Sequence, residues 1–120
     1  MSEDKSRPLM RRMRYGLVGL AEGWKRERSL RTQVILFCAG LLILLAVRAR
    51  PAWLLAGFLL FAVAVAAELI NASLEALLDR LHPGHDPEIG AAKDMSSGAV
   101  LVINLAAAAA FIVILIVSLD

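Results

Sequence analysis

The stretch Ala67-Glu-Leu-Ile-Asn-Ala-Ser-Leu-Glu-Ala-Leu-Leu-Asp-Arg80 begins where a long apolar run ends, and it sets Glu68, Asn71, Glu75 and Asp79 at offsets of 0, 3, 7 and 11. At about 100° per residue these four side chains fall within an arc of roughly 80° on an α-helix. Three carboxylates along one stripe repel one another unless cations or a charged ligand lie between them. The stripe continues directly from an apolar segment, which places it at a membrane–water boundary, where an ionisable group is a functional candidate.

Upstream of the stripe the chain is uncharged from Ala52 to Ala67, and Ala62, Ala64, Ala66 and Ala67 are small enough for close helix packing. This predicts one helix over 52–81, a membrane span with a cytoplasmic extension. Downstream, His82-Pro-Gly-His-Asp-Pro87 ends it, and residues 82–90 read as a loop. His82, His85, Asp86 and Glu88 resemble a metal cluster in composition only, because the breakers fix no ligand geometry, so a solvated loop is expected. Beyond it, residues 91–119 read as another span: small residues pack its start, and the run from Met95 to Leu119 carries no charge. Asn104 is a lone polar group at depth, for which an interhelical hydrogen bond is the expected use.

Before the stripe's helix, residues 30–47 form a shorter uncharged span bounded by Arg31 and Arg48, which can snorkel. Arg48-Ala-Arg-Pro51 is a tight turn, so these two spans form an antiparallel hairpin, with Trp53 at the far interface. Residues 8–28 repeat Leu9, Met13, Leu17, Leu20 and Trp24 every three or four positions among arginines and lysines, the pattern of a basic amphipathic helix lying in the interface. Met1–Arg7 is polar and expected to fray. No short apolar region with a cleavage site follows the N-terminal charges, so no signal peptide is read.

Composition fits this architecture. The chain has 120 residues, 59% of them hydrophobic, and a mean hydropathy of +0.70, too apolar for a soluble domain of its size. A single membrane-embedded domain over 1–120 is expected. The lone Cys38 allows no disulfide within the chain. Nine of the thirteen Lys and Arg precede Gln33, which is a local basic region rather than a nucleic-acid footprint. By the positive-inside bias the N-terminus is cytoplasmic and the C-terminus outside. Glu27, Glu68, Glu75, Asp79, Lys93 and Asp94 then share the cytoplasmic interface.

Carboxylates with one lysine suit a divalent cation carrying a polyphosphate, since Mg²⁺ commonly takes one or two carboxylates plus phosphate oxygens. A further carboxylate close to hydrocarbon suits proton abstraction from a hydroxyl. The chain has neither a phosphate-binding glycine loop with Lys-Ser/Thr nor the motif set of protein kinases. A proton relay or another ion-coupled or non-catalytic membrane bundle uses similar acids, and the residues alone leave both readings open.

The segment Glu68-Leu-Ile-Asn71-Ala-Ser-Leu-Glu75-Ala-Leu-Leu-Asp79-Arg80, followed by Ala92-Lys93-Asp94-Met95-Ser-Ser97-Gly-Ala99-Val100, resembles the bacterial diacylglycerol kinase family of small integral membrane lipid kinases. The likeness covers about residues 12 to 119. It implies an all-α homotrimer of three-span chains with an N-terminal surface helix, in a bacterial inner membrane, with active sites shared between neighbouring subunits. It also implies transfer of the γ-phosphoryl of MgATP to a lipid hydroxyl. On this resemblance Glu68 is the general base, and Glu27 and Glu75 hold the metal and nucleotide phosphates. Tyr15, Lys93 and Asp94 contact the nucleotide, Arg31 and Ser97 lie near the lipid, and Asn71 and Asp79 orient the glutamates. The expected reaction is phosphorylation of 1,2-diacylglycerol to phosphatidic acid, with undecaprenol the rival substrate within the family. The Lys93-Asp-Met-Ser-Ser-Gly-Ala-Val100 form favours the former. Ala72 stands where the family usually has Ser or Thr, a departure that bears on local nucleotide contacts.

Overall fold

The computed structural model describes residues 8–120, which form four helices. The expected fraying of Met1–Arg7 lies outside the described residues. α1 spans Pro8–Arg26, α2 Arg28–Ala46, α3 Pro51–Leu81 and α4 Pro87–Leu119. The last three are long and apolar enough to cross a membrane.

α1 stops at Glu27, two residues earlier than the periodicity indicates, because Glu27 adopts extended backbone (φ −108°, ψ 104°) and serves as the N-cap of α2. Its N–H still donates to the Gly23 carbonyl at 2.9 Å while its carbonyl accepts from the Arg31 N–H at 3.3 Å. One residue thus joins two helices. Arg31 turns back and donates to the carbonyls of Trp24 and Lys25 at 2.5 and 3.1 Å, satisfying acceptors that the end of α1 leaves open. Gly23 permits the close approach of α1, since a Cβ there would lie 2.7 Å from a Leu69 methyl and 3.0 Å from one of Leu30.

The turn between α2 and α3 is a tightly closed end. The Ala49 N–H reaches the Leu44 carbonyl and the Arg48 N–H the Leu45 carbonyl, both at 3.0 Å, with Arg48 left-handed at φ 59°. This is the Schellman arrangement, in which glycine normally occupies the left-handed position. Ala49 and Leu44 are buried together with Ile114, and Leu54, Phe111 and Leu115 pack around them. Arg50 is extended, as a residue before proline must be, and Pro51 opens α3 at a position that needs no donor. Midway along the bundle, Phe37 of α2 and Phe61 of α3 stack with ring centroids 4.5 Å apart.

α3 runs unbroken for 31 residues, roughly 47 Å, longer than the ~30 Å of hydrocarbon it has to cross. Its final turns therefore stand clear of the apolar layer, carrying the acidic stripe. The loop that follows is shorter than 82–90: α4 begins at Pro87 rather than at residue 91. The Asp86 side chain accepts from the Glu88 and Ile89 N–H groups at 2.9 and 3.4 Å, so Asp86-Pro87 is a helix start with cap and first residue in place. Few side chains are fully buried, and large apolar groups remain exposed along all three long helices, as expected where lipid or further subunits supply the surroundings.

Candidate functional site

The stripe on α3 divides by depth. Glu68, nearest the apolar segment, is 8% exposed and is the only buried carboxylate among the described residues. It lines a cavity of about 660 Å³ with Arg28, Ser29, Thr32 and Gln33 of α2 and Asn104 of α4. Among the described residues no hydrogen bond fixes its carboxylate. A carboxylate without a donor, facing a cavity at the membrane boundary, is ready to accept a proton or hydrogen bond from a molecule that enters.

One to three turns further out the stripe becomes polar on both sides. Asn71 donates to Glu75 at 3.1 Å, the second Glu75 oxygen has no partner among the described residues, and Asn71 Oδ1 is buried and unpartnered. Lys93 of α4 reaches Asp79 at 2.6 Å. Lys93 lies ahead of the charge-free run of α4. The α3–α4 pair thus gathers Asn71, Glu75, Asp79 and Lys93 into one acidic patch with a single cation. Asp79 meets Lys93 rather than a glutamate.

The remaining candidates stand apart from that patch. Glu27 is half-buried and borders a separate cavity of about 510 Å³ between α1 and α3, whose walls include Ser73, Ala76 and Arg80 and not Glu75. At about 100° per residue that wall is centred about 130° around α3 from Glu75, so Glu27 meets a different face of the helix. Tyr15 is exposed on α1, and Asp94 and Ser97 are exposed on α4. One guanidinium nitrogen of Arg31, Nη1, donates to the carbonyls at the end of α1. Among the described residues no group of three His, Cys, Asp or Glu gathers as a metal site, and His82 and His85 are exposed.

Periodicity along one helix could not reveal the residues that close the Glu68 cavity. Gln33 is 7% exposed and donates to Asn104 across 71 positions of sequence at 2.6 Å. The polarity of Asn104 indicates an interhelical bond. Its partner depends on how α2 meets α4, which no local pattern encodes. Arg28, Ser29 and Thr32 read as the edge of a span, and only the helix start at Arg28 turns them toward Glu68.

Among curated proteins, none matches the chain. The sequence model of one protein family, described as prokaryotic diacylglycerol kinase, matches residues 14–116, a range that contains the whole acidic stripe, Glu27, Lys93 and every residue of the Glu68 cavity. With three membrane-length helices and this match over most of its length, the chain belongs to the prokaryotic diacylglycerol kinase family, a family of multi-pass membrane lipid kinases.

Proposed function

We propose that this protein transfers the γ-phosphoryl group of ATP to the free hydroxyl of 1,2-diacylglycerol, giving phosphatidic acid and ADP. The observation that carries the reading is Glu68, a buried carboxylate without an internal partner in a cavity at the membrane boundary of a chain of this family. In the reaction the lipid oxygen forms a bond to the γ-phosphorus as its proton passes to Glu68. The bond from that phosphorus to the bridging oxygen breaks, and ADP departs. Placing the base at the apolar edge of the stripe and the phosphate-handling residues further out matches the two solvents from which the substrates come.

Glu75 has the donor chemistry for Mg²⁺: Asn71 holds one oxygen and the other is free. With phosphate oxygens completing its shell, the ion would neutralise charge on the transferring group. Lys93, Asp94 and Tyr15 are assigned to the nucleotide, and Arg31 and Ser97 to the lipid headgroup. Glu27 borders a cavity that Glu75 does not line, which supports a homotrimer in which Glu27 of one subunit and Glu75 of the next hold one nucleotide. The same reading puts the stripe on the cytoplasmic side of a bacterial inner membrane, with α1 lying on its surface.

Label transfer from γ-labelled ATP, with Mg²⁺, to diacylglycerol and to undecaprenol offered separately in mixed micelles tests the reading. Faster entry into phosphatidic acid supports it. Preference for undecaprenol keeps the mechanism and changes the substrate, and no label in either lipid from folded protein returns the chain to the class of non-catalytic bundles.

A further inference from the structure

The Glu68 cavity does not end at its polar walls. It shares Leu36, Phe37 and Asn104 with a second cavity of about 280 Å³ that runs along α2 and α4 to Gly40 and Phe111. The second compartment is apolar apart from Asn104. A molecule occupying both would present a reactive polar end to Glu68 and hydrocarbon to Phe111, and between the two it would pass the Gln33–Asn104 pair.

That pair has unsatisfied capacity. Gln33 Nε2 donates to Asn104 Oδ1 at 2.6 Å, while Gln33 Oε1 is buried without a partner, and no described residue accepts from the Asn104 amide nitrogen. Whichever way the two amides are turned, one bond joins them, and N–H groups on one side and a carbonyl on the other remain. A buried amide atom without a partner, such as Gln33 Oε1, is costly at membrane depth. In either arrangement an open N–H, on Asn104 as drawn or on Gln33 with both amides turned, makes physical sense where an incoming acceptor completes it.

Resting on the function proposed above, we propose that Asn104, with Gln33, recognises the ester linkage of the lipid and so determines specificity for an acylated glycerol over an alcohol attached directly to hydrocarbon. In a diacylglycerol the ester carbonyls lie a few bonds from the free hydroxyl, between it and the acyl chains. With the hydroxyl at Glu68 and a chain in the compartment beside Phe111, an ester carbonyl falls at the junction and accepts from the amide N–H. A polyprenyl alcohol or an ether lipid places hydrocarbon or a weak ether acceptor there and leaves the amide open. Sites built to hydrogen-bond a substrate group reject analogues that lack it.

The test measures kcat/KM with dioleoylglycerol and with the dialkyl ether of the same chain length, each against γ-labelled ATP, in wild type, Asn104→Leu and the double variant Gln33→Leu/Asn104→Leu. The wild type prefers the ester, and the ester-to-ether ratio falls about tenfold in Asn104→Leu, the scale of one hydrogen bond. Leucine suits membrane depth. The double variant removes both partners at once, leaves no orphaned amide, and reads the same ratio should the single variant misassemble. An ester-to-ether ratio unmoved in both variants overturns the proposal while leaving the kinase reading intact. No transfer to any lipid by folded wild type overturns the kinase reading, and this proposal with it.

Discussion

The two ends of the helical bundle are built on opposite principles. At the Arg48 turn, Leu44, Ala49 and Ile114 are buried and the last carbonyls of α2 are capped by the turn's own N–H groups. At the Glu68 end, cavities of about 660 and 510 Å³ flank α3, and the Gln33 and Asn71 amides keep buried oxygens without partners. A single chain closes one end by itself and leaves the other to be completed from outside. Stability and chemistry are thus separable along α3, and substitutions at the two ends should fail in different ways.

The largest effect is expected at the open end. Glu68→Gln keeps the shape of the side chain and removes the base, so turnover should fall by about 10³-fold or more while thermal unfolding in detergent stays at the wild-type temperature. Near-normal turnover would refute the assignment. Next, Glu75→Ala or Glu27→Ala should raise the Mg²⁺ or ATP concentration needed for half-maximal rate at least about tenfold. An unchanged requirement for both in either variant removes that glutamate from the phosphate-binding set. If the two glutamates belong to adjacent subunits, mixing the separately inactive variants before assembly should restore part of the rate, and a mixture as inactive as its components places both in one subunit.

At the closed end the signature reverses. Leu44→Ala should lower stability by about 2 to 3 kcal/mol, the cost of an internal cavity, with kcat of the protein that remains folded close to wild type. A kcat loss larger than the stability loss would mean that the two ends are coupled through α3. The smallest effect sharpens the comparison from the other side. Arg48→Gly relieves a left-handed non-glycine residue and should raise stability by about 1 kcal/mol, read as a higher melting temperature at unchanged KM. A lower melting temperature would show that the arginine contributes something at the interface that outweighs its backbone cost.

The sequence was most legible where one helix carries the information. The spacing of Glu68, Asn71, Glu75 and Asp79 is enough to put them on one face, and α3 does align them. The tight turn at Pro51 likewise follows from local rules, because proline and the residue before it have few conformations to choose from. Pro87 shows how a local signal can be misread: in Pro-Gly-His-Asp-Pro the prolines look equivalent, yet Asp86 makes the last one a helix start rather than a break. Glu27 stood within the predicted amphipathic helix over 8–28, and only the backbone shows that α1 ends just before it. What joins Gln33 to Asn104, or separates Glu27 from Glu75, depends on which faces of different helices meet. Spacing along the chain does not carry that.

The unbroken course of α3 has a metrical consequence. Glu68 and Glu75 are seven residues apart on a continuous helix, so their axial separation is about 10.5 Å and their angular offset only about 20°. The helix acts as a ruler, and under the proposed function it would mark the depth of a lipid hydroxyl at one graduation and the height of a phosphate at another. Inserting one residue between the two marks would lengthen the ruler by only about 1.5 Å but swing one mark about 100° away from the other. The separation therefore tolerates no one-residue adjustment, because a single inserted or deleted residue turns the face as well as changing the length.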